Sequence, residues 1–150
     1  TIYNEKTELF HHLGDAKPIA GVKEVLQYVQ AQGHQIWIVT GSAQQSLFDK
    51  LDTCFPHIFS RDRMITAWDV KHGKPHPEPY LKAWEGSGLP KKDCIVIENA
   101  PMGVQSGKAA GLTVYAVNTG ILTKEDLQEA GADKVVEDMQ QLLVLIMNDE

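Results

Sequence analysis

The chain lacks the long apolar run of a transmembrane helix and has only two cysteines. No segment approaches the ~20 consecutive apolar residues that cross a bilayer, and the polar stretch from Thr1 to Lys6 is unlike a secretory signal peptide. Cys54 and Cys94 are far apart and form no Cys-x-x-Cys pair, which is typical of a protein in a reducing compartment. We therefore expect a cytoplasmic protein with no membrane partner.

Basic residues are also in short supply, and the usual nucleotide-binding loops are missing. The chain has 14 lysines and arginines against 20 acids, a net charge of −6, which opposes binding to a phosphate backbone. No Gly-x-Gly-x-x-Gly follows a predicted strand, and the stretch from Gly103 to Lys108 is one residue short of a P-loop and lacks its Ser or Thr. We expect no nucleic-acid partner and no dinucleotide fold.

Helix and strand signals alternate along the chain from about residue 19 onward. The length of 150 residues is that of one domain. The run from Ile36 to Val39 is continuously apolar, as expected when helices cover both faces of a parallel sheet. The predicted strands are 36–39, 64–67, 94–97, 114–117 and an edge strand at 134–136. The predicted helices are 22–32, 44–51, 80–85, a helix of small residues that stops at Gly111, 123–130 and 139–147. The pattern predicts an α/β fold, a three-layer, Rossmann-like parallel sheet with helices on both faces.

Three polar clusters follow predicted strands, where ligands of such sheets collect. Thr40, Gly41 and Ser42 combine hydroxyls with the amides of a helix start, which favour an anion, although Ser42 is equally suited to be a plain N-cap. Lys74 precedes a proline that keeps it extended and so aims its side chain, although a solvated surface charge has the same pattern. Glu98 ends a buried strand beside Asn99, where a carboxylate is desolvated unless it meets a cation.

A pair of histidines in the same proline-rich segment is a weaker candidate. His72 and His76 are four residues apart, but Gly73 and Pro75 forbid the helix that would place both on one face. We therefore expect no zinc site there.

A hydroxyl, a lysine and an acid, in that order on successive strand-helix units, resemble motifs two, three and four of the haloacid dehalogenase (HAD) superfamily of aspartyl-phosphate hydrolases. The resemblance runs from roughly Pro18 to the end, and is greatest to the branch of β-phosphoglucomutase and small phosphatases. The segments that carry it are Pro18–Val22, Ile36–Ser42, Gly73–Tyr80 and Ile95–Gly111.

The resemblance implies roles for each cluster. Thr40 would hydrogen-bond the transferring phosphoryl group, assisted by Gly41 and Ser42, and Lys74 would pair with the nucleophile and the phosphate. Glu98 and Asn99 would help to hold Mg²⁺, which prefers oxygen ligands. The family commonly has two acids at this point, so the neutral Asn99 is a departure that implies either weaker metal affinity or a site in which Glu98 carries this role alone.

A second departure concerns the first motif. The family's chemistry needs an Asp-x-Asp at the end of its first strand, one carboxylate as nucleophile and the other as acid/base, and this chain has none. We expect that motif, and the first strand, to precede Thr1. Residues 1–16 are interpreted as a remnant of the family's helical cap, and 17–150 as an incomplete core domain. The chain's partners would then include the missing N-terminal segment of its own protein.

The resemblance implies a Mg²⁺-dependent phosphomonoester hydrolase that acts through an aspartyl-phosphate on a small phosphorylated metabolite such as a sugar phosphate. Residues 1–150 alone are expected to be inactive. A β-phosphoglucomutase-type isomerase and a non-catalytic, regulatory or binding module of the same family remain alternatives. A bacterial receiver domain is less consistent, because its lysine follows its acids along the chain, whereas Lys74 comes before Glu98.

Overall fold

A six-stranded, wholly parallel sheet forms the centre of the computed structural model, which describes residues 2–6, 21–41, 46–118 and 123–148, with the backbone alone at residues 2–6 and no side chain at 47. The strands are β1 (Ile2–Lys6), β2 (Gln35–Val39), β3 (Met64–Ile65), β4 (Cys94–Glu98), β5 (Thr113–Val117) and β6 (Lys134–Val136). Their order across the sheet is β3-β2-β1-β4-β5-β6. The predicted α/β class is confirmed.

Helices cover both faces of the sheet. They are α1 (Val22–Ala31), α2 (Leu47–Cys54), α3 (Glu78–Ser87), α4 (Pro101–Ala109), α5 (Lys124–Glu129) and α6 (Met139–Asn148). Alternate residues of a strand point to opposite faces, so Ile36 and Ile38 join a core with α1, α2 and α6. Trp37 and Val39 join a second core with α3, α4 and α5. The three-layer architecture follows from this division.

Local signals predicted several element boundaries well. Thr123 and Asp126 form the reciprocal capping box that begins α5, and Asp138 accepts a hydrogen bond from the amide of Gln141 at the start of α6. The segment Lys134–Val136 is an edge strand, as predicted. By contrast, β3 ends at Ile65 rather than at residue 67, because Thr66 caps a short 3₁₀ turn. These boundaries place the strand ends that the site uses.

The middle of the sheet differs from the expectation. We expected the first strand to be missing and residues 1–16 to belong to a helical cap, yet Ile2–Lys6 forms β1 and pairs with both β2 and β4. Without a strand there, the facing backbone groups of β2 and β4 would lose their hydrogen-bond partners, and a segment with Ile and Tyr suits a strand. The helical interpretation is therefore wrong at Ile2–Lys6. Residues 7–16 lie outside the described residues.

All six strands run in one direction, so their carboxyl ends share one edge of the sheet. Val39 ends β2 and Glu98 ends β4, and the chain of β1 lies between these two strands. Among the described helices, none combines the length and the apolar character needed to cross a bilayer. The edge that carries Val39 and Glu98 is where the polar clusters meet.

Candidate active site

Lys74 lies in the loop between β3 and α3 and reaches back to two strand ends. Its Nζ donates hydrogen bonds to the carbonyl oxygen of Val39 at 3.0 Å and to Oε1 of Glu98 at 2.7 Å. The side chain of Lys74 is 8% exposed and that of Glu98 is fully buried. The peptide bond between Lys74 and Pro75 is cis. The alternative of a solvated surface lysine is therefore excluded by its burial and its ion pair.

Tyr80 completes this buried cluster, and sequence analysis did not single it out. It lies on α3 and is fully buried, and its hydroxyl donates to the same Oε1 of Glu98 that Lys74 contacts. The Nζ of Lys74 also lies 4.9 Å from the centre of the Tyr80 ring, a cation–π contact. The available signal was a tyrosine six residues after the lysine, at the start of a helix, but its orientation depends on how α3 packs on the sheet.

Glu98 is enclosed on its other side as well. Its Oε2 accepts a hydrogen bond from the backbone amide of Asn99 at 3.3 Å. At Gly103, in the first turn of α4, an added Cβ would lie 2.1–2.2 Å from the three carboxylate atoms of Glu98. The carboxylate thus fills the space that a side chain at residue 103 would take, and both of its oxygens accept hydrogen bonds from the protein.

Thr40 and Gly41 stand beside Lys74 at a small cavity. Thr40 is buried, with 3% of its surface exposed, and its amide donates to the carbonyl of Ile65 at 2.9 Å. The cavity has a volume of about 150 Å³ and is lined by Thr40, Gly41, Ala67, Val70, Lys71, Gly73, Lys74 and Pro79. Since a water molecule occupies ~30 Å³ in the liquid, this space has room for a group of phosphate size.

The predicted site residues therefore fall into three groups. The structure brings Thr40, Gly41 and Lys74 to one cavity and places Glu98 directly behind Lys74. Asn99 follows Glu98 at the same sheet edge and is half-buried. Ser42 lies in 42–45, outside the described residues. The phosphate-binding and metal-binding roles of these residues remain predictions.

The metal site expected from the resemblance is not formed by the described residues themselves. Among them, no group of three or more His, Cys, Asp and Glu side chains is close enough to hold a metal ion. The carboxylate of Glu98 is already engaged by Lys74 and Tyr80, which leaves it a poor direct ligand. Glu98 and Asn99 do not fit a Mg²⁺ site without further carboxylates.

His72 and His76 do come together, although through a loop rather than a helix. Their rings stack with centres 4.7 Å apart. The Nδ1 of His76 accepts a hydrogen bond from the amide of Glu78 at 3.0 Å, so the proton of the neutral ring belongs on Nε2. The Nδ1 of His76 is thereby engaged by the backbone at the start of α3.

Comparison with known proteins agrees with this fold. A family model described as haloacid dehalogenase-like hydrolase matches residues 1–117. The chain belongs to this family.

Relatives and solved structures point in the same direction. The chain is 34% identical over 143 residues to glycerol-1-phosphate phosphohydrolase 1 of Saccharomyces cerevisiae, covering 88% of this chain and 55% of that protein. It is 30% identical over 145 residues to the phosphorylated carbohydrates phosphatase of Thermotoga maritima, covering 96% and 66%. A solved structure from Bacteroides vulgatus, provisionally named a β-phosphoglucomutase, is 42% identical with a TM-score of 0.81, covering 86% of this chain and 52% of that one. The chain thus spans about half the length of its yeast relative.

Proposed function

We propose that this chain is the phosphate-binding part of a phosphomonoester hydrolase that acts on a small phosphorylated metabolite. The observation that supports this most is the buried cation of Lys74, held between Val39 and Glu98 beside a cavity of phosphate size that Thr40 and Gly41 also line. A fixed cation in a poorly hydrated site stabilises developing phosphoryl charge without reorganising during the reaction.

The roles of the residues follow from this placement. The hydroxyl of Thr40 and the amide of Gly41 would bind phosphoryl oxygens, and Lys74 would neutralise charge as the phosphoryl group transfers. Glu98 and Tyr80 keep the ammonium of Lys74 in place. The attacking group is proposed to be an aspartate that forms an aspartyl-phosphate. β1, which lies between β2 and β4, ends in Asn-Glu-Lys and contains no Asp, so this strand does not supply it.

We propose that the whole protein uses Mg²⁺, the cation that suits carboxylate and amide oxygens together with phosphate. When bound, this ion would supply positive charge to the phosphoryl group. Asn99 would contribute a neutral oxygen and Glu98 would act mainly through Lys74, so the carboxylates that hold the ion would come from the same segment as the nucleophile. Two free cysteines among the described residues support a cytoplasmic location.

The substrate class is proposed from the relatives. Curated relatives are named for glycerol-1-phosphate, phosphorylated carbohydrates, 2-deoxyglucose-6-phosphate and hexitol phosphate. These are all phosphate esters of small polyols or sugars, so we propose a substrate of that class. The Bacteroides vulgatus structure favours a second candidate, an isomerase of β-phosphoglucomutase type. The absence of an Asp in β1 favours a third, a non-catalytic binding module.

A substrate panel separates these candidates. The whole natural protein, in Mg²⁺, is mixed with sugar phosphates, polyol phosphates and pyrophosphate, and both released phosphate and isomerised product are measured. We expect phosphate release from a polyol or sugar phosphate, abolished by a chelator and restored by Mg²⁺. Isomerisation without phosphate release would indicate the mutase, and neither product with any compound would indicate the binding module.

A further inference from the structure

The loop that carries Lys74 is closed by a glutamate that sequence analysis did not single out. Glu78 is the first residue of α3. Its carboxylate accepts hydrogen bonds from the backbone amides of two residues at the start of the loop. Lys71 donates to Oε2 at 3.0 Å and to Oε1 at 3.2 Å, and His72 donates to Oε1 at 2.9 Å. One side chain therefore joins the two ends of the segment 71–78, with Lys74 between them.

The same loop is held from two further directions. The amide of His76 donates to the carbonyl of Gly73 at 3.0 Å, which tightens the turn around Lys74. The hydroxyl of Ser106, a fully buried residue of α4, donates to the carbonyl of His76 at 2.6 Å. The loop is thus closed on itself by Glu78 and attached to the neighbouring helix by Ser106.

We propose that Glu78 is a positioning residue, which fixes the backbone of the loop so that Lys74 points at Glu98 and the phosphate cavity. Lysine has a flexible four-carbon stem, so the position of its ammonium depends on the position and direction of the backbone at residue 74. The cavity also depends on this loop, since Lys71, Gly73 and Pro79 line it. The catalytic consequence rests on the proposed phosphatase function, whereas the placement of Lys74 does not.

The electrostatics of Glu78 support this arrangement. The backbone amide of Lys71 is the main cause that holds the pKa of Glu78 below its ordinary value. Desolvation, the second-largest cause, acts in the opposite direction, and the amide of His72 and the charges of Lys82 and His72 lower the pKa further. Because the pKa is lower in the folded protein, the loop gains stability from the carboxylate above the ordinary pKa of glutamate. That gain is lost as pH falls through the lowered pKa.

The test compares Glu78→Ala and Glu78→Gln with Glu85→Gln, which changes an exposed acid on the same helix. By NMR, Glu78→Ala should remove the protection of the Lys71 and His72 amides from hydrogen exchange and the slowly exchanging ammonium signal of Lys74. Glu78→Gln keeps one carbonyl acceptor and should lie between Glu78→Ala and the parent protein. Glu85→Gln should match the parent.

In the whole protein with Mg²⁺, Glu78→Ala should lower kcat by about 10²-fold, the scale of a misplaced catalytic group, with a smaller change in KM. In a Lys74→Met background, Glu78→Ala should lower kcat almost no further, because both changes remove the correctly placed ammonium of Lys74. An unchanged Lys74 signal in a folded Glu78→Ala variant would overturn the proposal, as would a full additional loss beside Lys74→Met. If the NMR changes occur as predicted but the whole protein has no phosphatase activity, the proposed function is overturned and the positioning role of Glu78 is not.

Discussion

Lys74→Met is expected to lower the free energy of unfolding by about 3–5 kcal/mol, the cost of removing one partner of a buried ion pair. Methionine keeps much of the length of the side chain but leaves the carboxylate of Glu98 fully buried without its cation. The hydroxyl of Tyr80 and the amide of Asn99 still donate to that carboxylate, but neither carries a charge. Urea unfolding of the parent and the variant measures the difference.

Two further variants show whether the lost pair is the cause. Lys92→Met changes an exposed lysine and should stay within about 0.5 kcal/mol of the parent. In the double variant Lys74→Met with Glu98→Gln, the buried charge is gone, so stability should recover relative to Lys74→Met alone. If Lys74→Met proved as stable as Lys92→Met, the pair would not hold this edge of the sheet together.

Gly103→Ala is expected to destabilise the fold nearly as strongly as Lys74→Met, although it adds a single methyl group. That carbon would lie 2.1–2.2 Å from the carboxylate atoms of Glu98, so the carboxylate must move. Overpacking of this kind costs about 1–3 kcal/mol, and displacing Glu98 from Lys74 adds to that cost. The gain in helix propensity, about 1 kcal/mol, offsets only part of it. We expect a net loss of about 2 kcal/mol by thermal or urea unfolding, and a loss of the slowly exchanging Lys74 signal.

Gly107→Ala is the matched control, since it makes the same change in the same helix. Its added Cβ would lie 2.7 Å from a methyl of Val114, and the next nearest atoms are the methyls of Val96 rather than atoms of Glu98. It should therefore also destabilise α4 against the sheet but leave the Lys74 signal in place. Equal effects of both variants on that signal would mean that Glu98 does not depend on the space at Gly103.

Features set by short-range patterns could be predicted from the sequence. The helix that begins at Thr123 and the apolar run of β2 are decided by neighbouring residues, and both were placed correctly. The order of Thr40, Lys74 and Glu98 along the chain, together with the rule that parallel strands end at one edge, was enough to expect their proximity. The ion pair between Lys74 and Glu98 bears out that proximity.

Features set by contacts between distant residues could not be predicted from the sequence. The hydrogen bond from Ser106 to the carbonyl of His76 joins residues 30 apart, and that of Tyr80 to Glu98 joins residues 18 apart. Neither has a local signature. The segment Ile2–Lys6 was misjudged for a related reason, because its role as β1 depends on the open position between β2 and β4 rather than on its own pattern.

The most direct test of the account is the rate at which the whole protein, in Mg²⁺, hydrolyses a phosphomonoester before and after Lys74→Met. Both proteins must first be shown to be folded under the assay conditions, with Lys92→Met as the control for a lost surface charge. The account predicts that kcat/KM falls by about 10²–10³-fold in Lys74→Met, as when a preorganised donor to a charged transition state is removed, and is unchanged in Lys92→Met. Hydrolysis at the parent rate by folded Lys74→Met would contradict it.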